Sequence, residues 1–173
     1  DRRTVLAMLA STAVPGALGA AESELFTDMI ADGTLPPMAE RLPKNPRVVN
    51  LAAMGREPGR VGGTVRMIVG RQKDIRLVPM NSYARLIGYD ENLNLVPDVL
   101  ESFTVEDGRI FTFKLREGHR WSDGSPYTSE DFRYVYEDVE NNLTLRRGGP
   151  STNLKVEGEV AKFEVLDELT VRY

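Results

Sequence analysis

Apolar and polar residues alternate most regularly between positions 103 and 115. Phe103 and Val105 alternate with Thr104 and Glu106, Phe111, Phe113 and Leu115 alternate with Thr112 and Lys114, and Asp107-Gly108 separates the two runs. Alternation of period two around an Asp-Gly pair predicts a β-hairpin, because a tight turn that matches strand twist needs positive φ at its central residues. The five apolar residues fall on one face and are expected to be buried. Further on, Asp123-Gly124 marks a second turn, and Thr128-Ser129-Glu130-Asp131 has the spacing of a helix N-cap with an acidic residue three positions later. Phe132, Val135, Tyr136, Val139 and Leu143 then recur at helical spacing, predicting a helix that stops before Arg146-Arg147-Gly148-Gly149-Pro150. Phe163 and Val165, a turn at Asp167-Glu168, and the alternating Leu169, Val171 and Tyr173 predict a closing pair of strands.

Upstream, Thr64-Val65-Arg66-Met67-Ile68-Val69 lies between Gly63 and Gly70 and predicts a first strand, and Leu86-Ile87-Gly88-Tyr89 a shorter one. Met67, Met80, Tyr134 and Tyr136 read as core packing, and Trp121 as a large buried surface. Between Glu22 and about Arg60 stand Pro36, Pro37, Pro43, Pro46 and Pro58. Each removes a donor and restricts its predecessor, which predicts an irregular lead-in with short helical turns, for example at Met38 to Leu42. Gly59, Gly62 and Gly63 precede a strand and no lysine follows them, so they read as a linker rather than a phosphate loop.

The first 21 residues run in the order positive, apolar, small. Arg2-Arg3 is followed by Val5, Leu6 and a weakly apolar run to Leu18, then by Gly19-Ala20-Ala21. That is the order of a secretory signal peptide, removed after Ala21, and the adjacent arginines resemble a twin-arginine signal. The missing initiator Met, and a final strand expected to end on an unpaired edge at Tyr173, predict a piece of a longer protein.

Composition narrows the chemistry. A formal charge of -4 provides no basic field for a phosphate backbone, so no nucleic-acid partner is expected. With no cysteine and His119 as the single histidine, no metal site and no cofactor is expected from the chain. His119 with Asp123, or Asp123 with Glu130, are the residues an exported hydrolase would have to use. No nucleophile is spaced to join them, and the acidic residues beside Thr128 are explained by capping. No catalytic residue is assigned.

Taken together, Val96-Pro97-Asp98-Val99-Leu100-Glu101-Ser102-Phe103, Phe111-Thr112-Phe113-Lys114-Leu115-Arg116-Glu117-Gly118 and Trp121-Ser122-Asp123-Gly124-Ser125-Pro126-Tyr127-Thr128-Ser129-Glu130-Asp131-Phe132 resemble the signature of the family 5 extracellular solute-binding proteins of ABC importers. Phe103 replaces the family's usual Trp, and Tyr127 and Phe132 stand where smaller apolar residues are common. The resemblance implies an α/β fold of the type II periplasmic binding protein class, two lobes closing on a ligand. Only an incomplete first lobe is expected here, a mixed sheet with β-hairpins and a capped helix. It divides the chain into a signal peptide (1–21), a Pro-rich lead-in (22–61) and the N-terminal part of lobe 1 (62–173), truncated at its C-terminus.

The function implied is periplasmic capture of a peptide, a peptide-like or a related small-molecule solute, with ABC permease subunits in the inner membrane as partners and a monomer at full length. A ligand-presenting sensor without a transport role is the alternative. Open α/β sheets place ligand contacts in the loop after a first strand, so Asn81 and Tyr83 are the candidate ligand-binding residues.

Overall fold

A computed structural model describes residues 22–59, 62–64, 66–81 and 83–173, with backbone alone for 79–81. The predicted signal sequence, residues 1–21, lies outside the described residues. Among the described residues there are eight short strands: β1 (Ile87–Tyr89), β2 (Leu95–Pro97), β3 (Leu100–Glu106), β4 (Ile110–Leu115), β5 (Lys155–Val156), β6 (Glu159–Val160), β7 (Glu164–Asp167) and β8 (Thr170–Arg172). Helices α1 (Thr27–Ala31) and α2 (Met38–Arg41) belong to the lead-in. Helix α3 (Ser129–Arg133) continues as a π-helical stretch over Tyr134–Glu140.

The central sheet has the order β3-β4-β8-β7, with two-stranded sheets β1-β2 and β5-β6 beside it. The predicted hairpin is β3-β4, with Phe103 opposite Phe113 and Val105 opposite Phe111. Its turn has Asp107 at φ 51° and Gly108 at φ 64°, and the Arg109 N–H donates to Glu106 O at 3.0 Å. Every ladder among the described residues is antiparallel, which corrects the mixed sheet expected from the sequence. Of the three contacts in the central sheet, β3-β4 and β7-β8 close across short turns, and only antiparallel neighbours can be joined that tightly.

The closing strand also differs from expectation. β8 lies inside the sheet between β4 and β7, and Tyr173 exchanges both backbone hydrogen bonds with Phe111 at 2.9 Å. The edges are β3 and β7 instead. Leu100, Leu115 and Val171 are the fully buried hydrophobic residues among those described.

Cover on the hairpin is uneven. Phe103 and Phe113 are half-buried, whereas Val105 and Phe111 are exposed. The reason is that Phe111, Phe113, Phe132, Leu154 and Tyr173 line an open apolar hollow of about 540 Å³ rather than a closed core. An aromatic chain spans this side: Phe113 to Tyr173 at 6.0 Å, Tyr173 to Phe163 at 5.0 Å, and Phe163 stacked on Tyr136 at 5.0 Å.

Helix α3 starts where the sequence places it. The Glu130 N–H donates to Thr128 Oγ1 at 3.3 Å, and the Thr128 N–H donates to Asp131 Oδ2 at 2.8 Å, a reciprocal capping box. Ser129 N–H donates to Glu168 O at 2.9 Å, fixing the helix to the β7-β8 turn. Beyond Arg133 the π-helical winding, with more residues per turn, breaks the 3.6 period. Phe132, Tyr136 and Val139 are accordingly turned at least partly inward, while Val135 and also Tyr134 are exposed; the helix ends at Glu140, short of the expected stop before Arg146, and leaves Leu143 exposed beyond it.

The first strand expected at 64–69 forms no ladder among the described residues, and Met67, Ile68 and Val69 are exposed. β-branched residues favour a pleated surface only when a neighbouring strand supplies the hydrogen bonds and the packing. The chain runs from there into a 3₁₀ helix, Gln72–Asn81, whose start is fixed by the Arg71 N–H donating to Asp74 Oδ2 at 3.0 Å.

Candidate functional site

The two candidate ligand-binding residues sit where the chain leaves this 3₁₀ helix. Asn81 is its last residue, and Tyr83 is 71% exposed just before the chain joins the β-layer. That junction is well tied. Val99 N–H donates to Arg85 O at 2.9 Å, Asp98 N–H to Leu86 O at 3.0 Å, and Arg85 N–H to Asp98 Oδ2 at 3.4 Å. The arm carrying Tyr83 therefore rises from a point anchored on Asp98.

Asp98 is also reached from the lead-in. Arg47 Nη1 lies 3.2 Å from Asp98 Oδ1, both side chains about one-third exposed. The lead-in crosses the corner after β4, where Lys44 N–H donates to Glu117 O at 2.9 Å and the Lys44 ammonium pairs with the Glu117 carboxylate. Arg116 ties the two together: its Nη1 donates to Asn45 O at 2.9 Å and its Nε to Asp98 O at 3.0 Å. Gly118, at φ +94°, lets the chains approach, since a Cβ there would stand 3.3 Å from Pro43 Cα. Within the lead-in, Arg41 pairs with Glu22 at 2.6 Å and its guanidinium lies over the Phe26 ring. The proline-rich stretch is thus docked along its middle, a feature that composition alone did not signal.

Where α2 passes the Trp121–Gly124 turn, a cleft of about 930 Å³ opens, lined by Leu35, Pro36, Arg41, Arg120, Trp121 and Asp123. Trp121 is 51% exposed, not buried as its size suggested. Its Nε1–H donates to Asp131 Oδ1 at 3.0 Å and its ring meets Tyr127 edge-on at 5.1 Å, so the capping box also holds the indole. Burial, and then the charge of Asp131, push the Tyr127 hydroxyl up to about 12.

The carboxylates and the histidine that an enzyme would use are committed elsewhere. Asp123 accepts from Ser125 N–H at 2.8 Å, which lowers its pKa. Glu130 is held by Arg133, which lowers its pKa as well. His119 Nε2 is 3.1 Å from Val99 O, and burial pulls its pKa below the usual value. Among the described residues no group of three His, Cys, Asp or Glu side chains could hold a metal ion.

This hairpin, turn and capped helix lie inside residues 94–173, which match the family described as bacterial extracellular solute-binding proteins, family 5, middle part. Over those residues the chain is similar to that family. A periplasmic alpha-galactoside-binding protein of Rhizobium meliloti is 28% identical over 174 residues, 88% of this chain and 25% of that protein. The periplasmic murein peptide-binding protein MppA of Escherichia coli is 37% identical over 60 residues, 35% of this chain and 11% of MppA. Among solved structures, an oligopeptide-binding protein OppA superimposes with a TM-score of 0.71 at 33% identity, covering 88% of this chain and 23% of OppA.

MelB of Agrobacterium fabrum, a periplasmic binding protein solved with stachyose, shares the fold at a TM-score of 0.66 and 23% identity, covering 91% of this chain and 27% of MelB. The chain thus has the α/β fold of part of a type II periplasmic binding protein and spans about a quarter of the length of the alpha-galactoside-binding protein and of OppA. These relatives are binding proteins, not enzymes, by name.

Proposed function

We propose that this chain belongs to the periplasmic substrate-binding component of an ABC transporter, which captures a peptide or peptide-like solute and delivers it to permease subunits in the inner membrane. The observation that carries this reading is the family match over residues 94–173, in which the hairpin, the Asp123-Gly124 turn and the Thr128 cap serve structure and leave no acid–base pair for catalysis. Residues 62–173 then form the N-terminal part of the first lobe, with Asn81 and Tyr83 on the arm that faces the ligand. Residues 1–21 act as the export signal.

A second reading of the cargo, an α-galactoside, is favoured by one observation. The alpha-galactoside-binding relative aligns with 88% of this chain, whereas MppA aligns with 35%. Isothermal titration of the protein at the length of its relatives against tri- to pentapeptides, raffinose and stachyose separates the two. Binding of peptides supports the first reading, binding of the galactosides alone replaces it with the second, and turnover of either cargo would make the protein a hydrolase.

A further inference from the structure

The lead-in is joined to the Tyr83 arm through one residue. Arg47, brought in by the docked stretch, pairs with Asp98 Oδ1, and Asp98 Oδ2 accepts the Arg85 N–H two residues after Tyr83. Arg116 closes the circuit by donating to Asn45 O on the lead-in and to Asp98 O on the β2-β3 connection. Gly88 on β1 lies beside this pair, where a Cβ would make an ordinary contact of 3.5 Å with Arg47 Nη1. We propose that Arg47 is a positioning residue, through which the docked lead-in fixes the direction in which the Tyr83 arm leaves the β-layer.

The physical reason is one of support. Tyr83 is exposed and in no ladder, and among the described residues the backbone hydrogen bonds that tie this stretch to the β-layer begin at Arg85. A carboxylate that accepts one backbone N–H keeps its orientation when its second oxygen is held by a cation, because charge-assisted hydrogen bonds are the stronger kind and fix the acceptor rotamer. Without Arg47 the Asp98 carboxylate is free to turn toward water and release the Arg85 N–H. Preorganisation of a contact arm lowers the ordering cost of binding, so loosening it weakens affinity without removing a ligand contact. The affinity part rests on the reading that this arm faces the ligand, and Tyr83→Ala tests that reading separately.

Hydrogen exchange on the full-length protein without ligand is the primary measurement, comparing wild type, Arg47→Ala and Arg47→Lys. The expected result is exchange at the Arg85 amide about tenfold faster in Arg47→Ala, with the Phe111–Lys114 amides of β4 unchanged and partial recovery in Arg47→Lys. Equal exchange at Arg85 in wild type and Arg47→Ala would overturn the proposal, whatever happens to affinity. The second measurement is titration with stachyose and with trialanine, using whichever the wild type binds. A several-fold weaker dissociation constant in both Arg47→Ala and Tyr83→Ala is expected. Weakening in Tyr83→Ala alone would show that the arm binds ligand but is not positioned by Arg47, and overturns the proposal. An unchanged constant in Tyr83→Ala removes the ligand-facing reading, and leaves Arg47 as a support of the arm if the exchange result holds.

Discussion

Single residues in this chain act mostly by satisfying backbone groups, and the sizes of their effects follow. Thr128 holds one otherwise free helix N–H, so Thr128→Ala is expected to cost about 1 kcal/mol in urea unfolding. Asp131 does more, because it accepts from both the Thr128 N–H and the Trp121 indole. Asp131→Ala is therefore expected to exceed Thr128→Ala in cost and to red-shift the emission of Trp121, the single tryptophan of the sequence.

His119 gives a pH prediction with a definite sign. Burial places its folded pKa below the usual 6.5, so the unfolded chain takes up the proton first as pH falls. Its contribution is present above about 6.5 and is lost as pH falls through the lower folded value. The urea midpoint is expected to decline between pH 7 and 5, where carboxylates are still largely ionised, and His119→Gln is expected to flatten that slope.

At the scale of elements, the hairpin and the capped helix behave differently from an enclosed core. Phe113 is half-buried beside the apolar hollow, so Phe113→Ala is expected to cost about 2 kcal/mol, less than the 3–5 kcal/mol of a closed aromatic site. Gly108→Ala places a Cβ at φ 64° and is expected to cost about 1 kcal/mol by unfolding measurements, although open space surrounds it.

These elements were legible because their signals are local: alternation of Phe and Thr around Asp-Gly, and Thr followed three residues later by Asp. The strand expected at 64–69 shows the limit. Its residues carry the propensity, but a strand is completed by its neighbour, and nothing in six residues names that neighbour. The loss of Val135 from the stripe has a similar origin, since the π-helical winding after Arg133 changes which residues share a face, and Leu143 lies beyond the helix, which ends at Glu140.

At the scale of the whole molecule, the chain spans about a quarter of the alpha-galactoside-binding protein and of OppA, and ligand capture is proposed for the protein at that greater length. A pocket formed between two lobes buries the ligand from both sides, and burial is what offsets lost translational freedom and desolvation. Calorimetry is accordingly expected to show about 2.7 kcal/mol of added stability for the longer protein at about one hundred times the dissociation constant. The 173 residues alone are expected to show no comparable gain, and equal affinity of the two would remove the two-lobe reading. For export, replacing Arg2 and Arg3 by lysine is expected to abolish periplasmic accumulation if the route is twin-arginine, and unchanged yield would assign the general secretory route.

The sequence by itself determined the resemblance to family 5, the β3-β4 hairpin and the cap at Thr128, because each depends on residues close along the chain. It also marked the prolines of the lead-in correctly as barriers to long helices. Only the tertiary structure decided that β8 lies between β4 and β7, that Trp121 is left half-open on a cleft, and that the lead-in docks through Lys44, Asn45 and Arg47. Those contacts join positions about 50 to 75 residues apart. A lysine, an arginine and a glycine read the same in a linker as in a docked strap until the partner carboxylate and the space beside Gly118 are known.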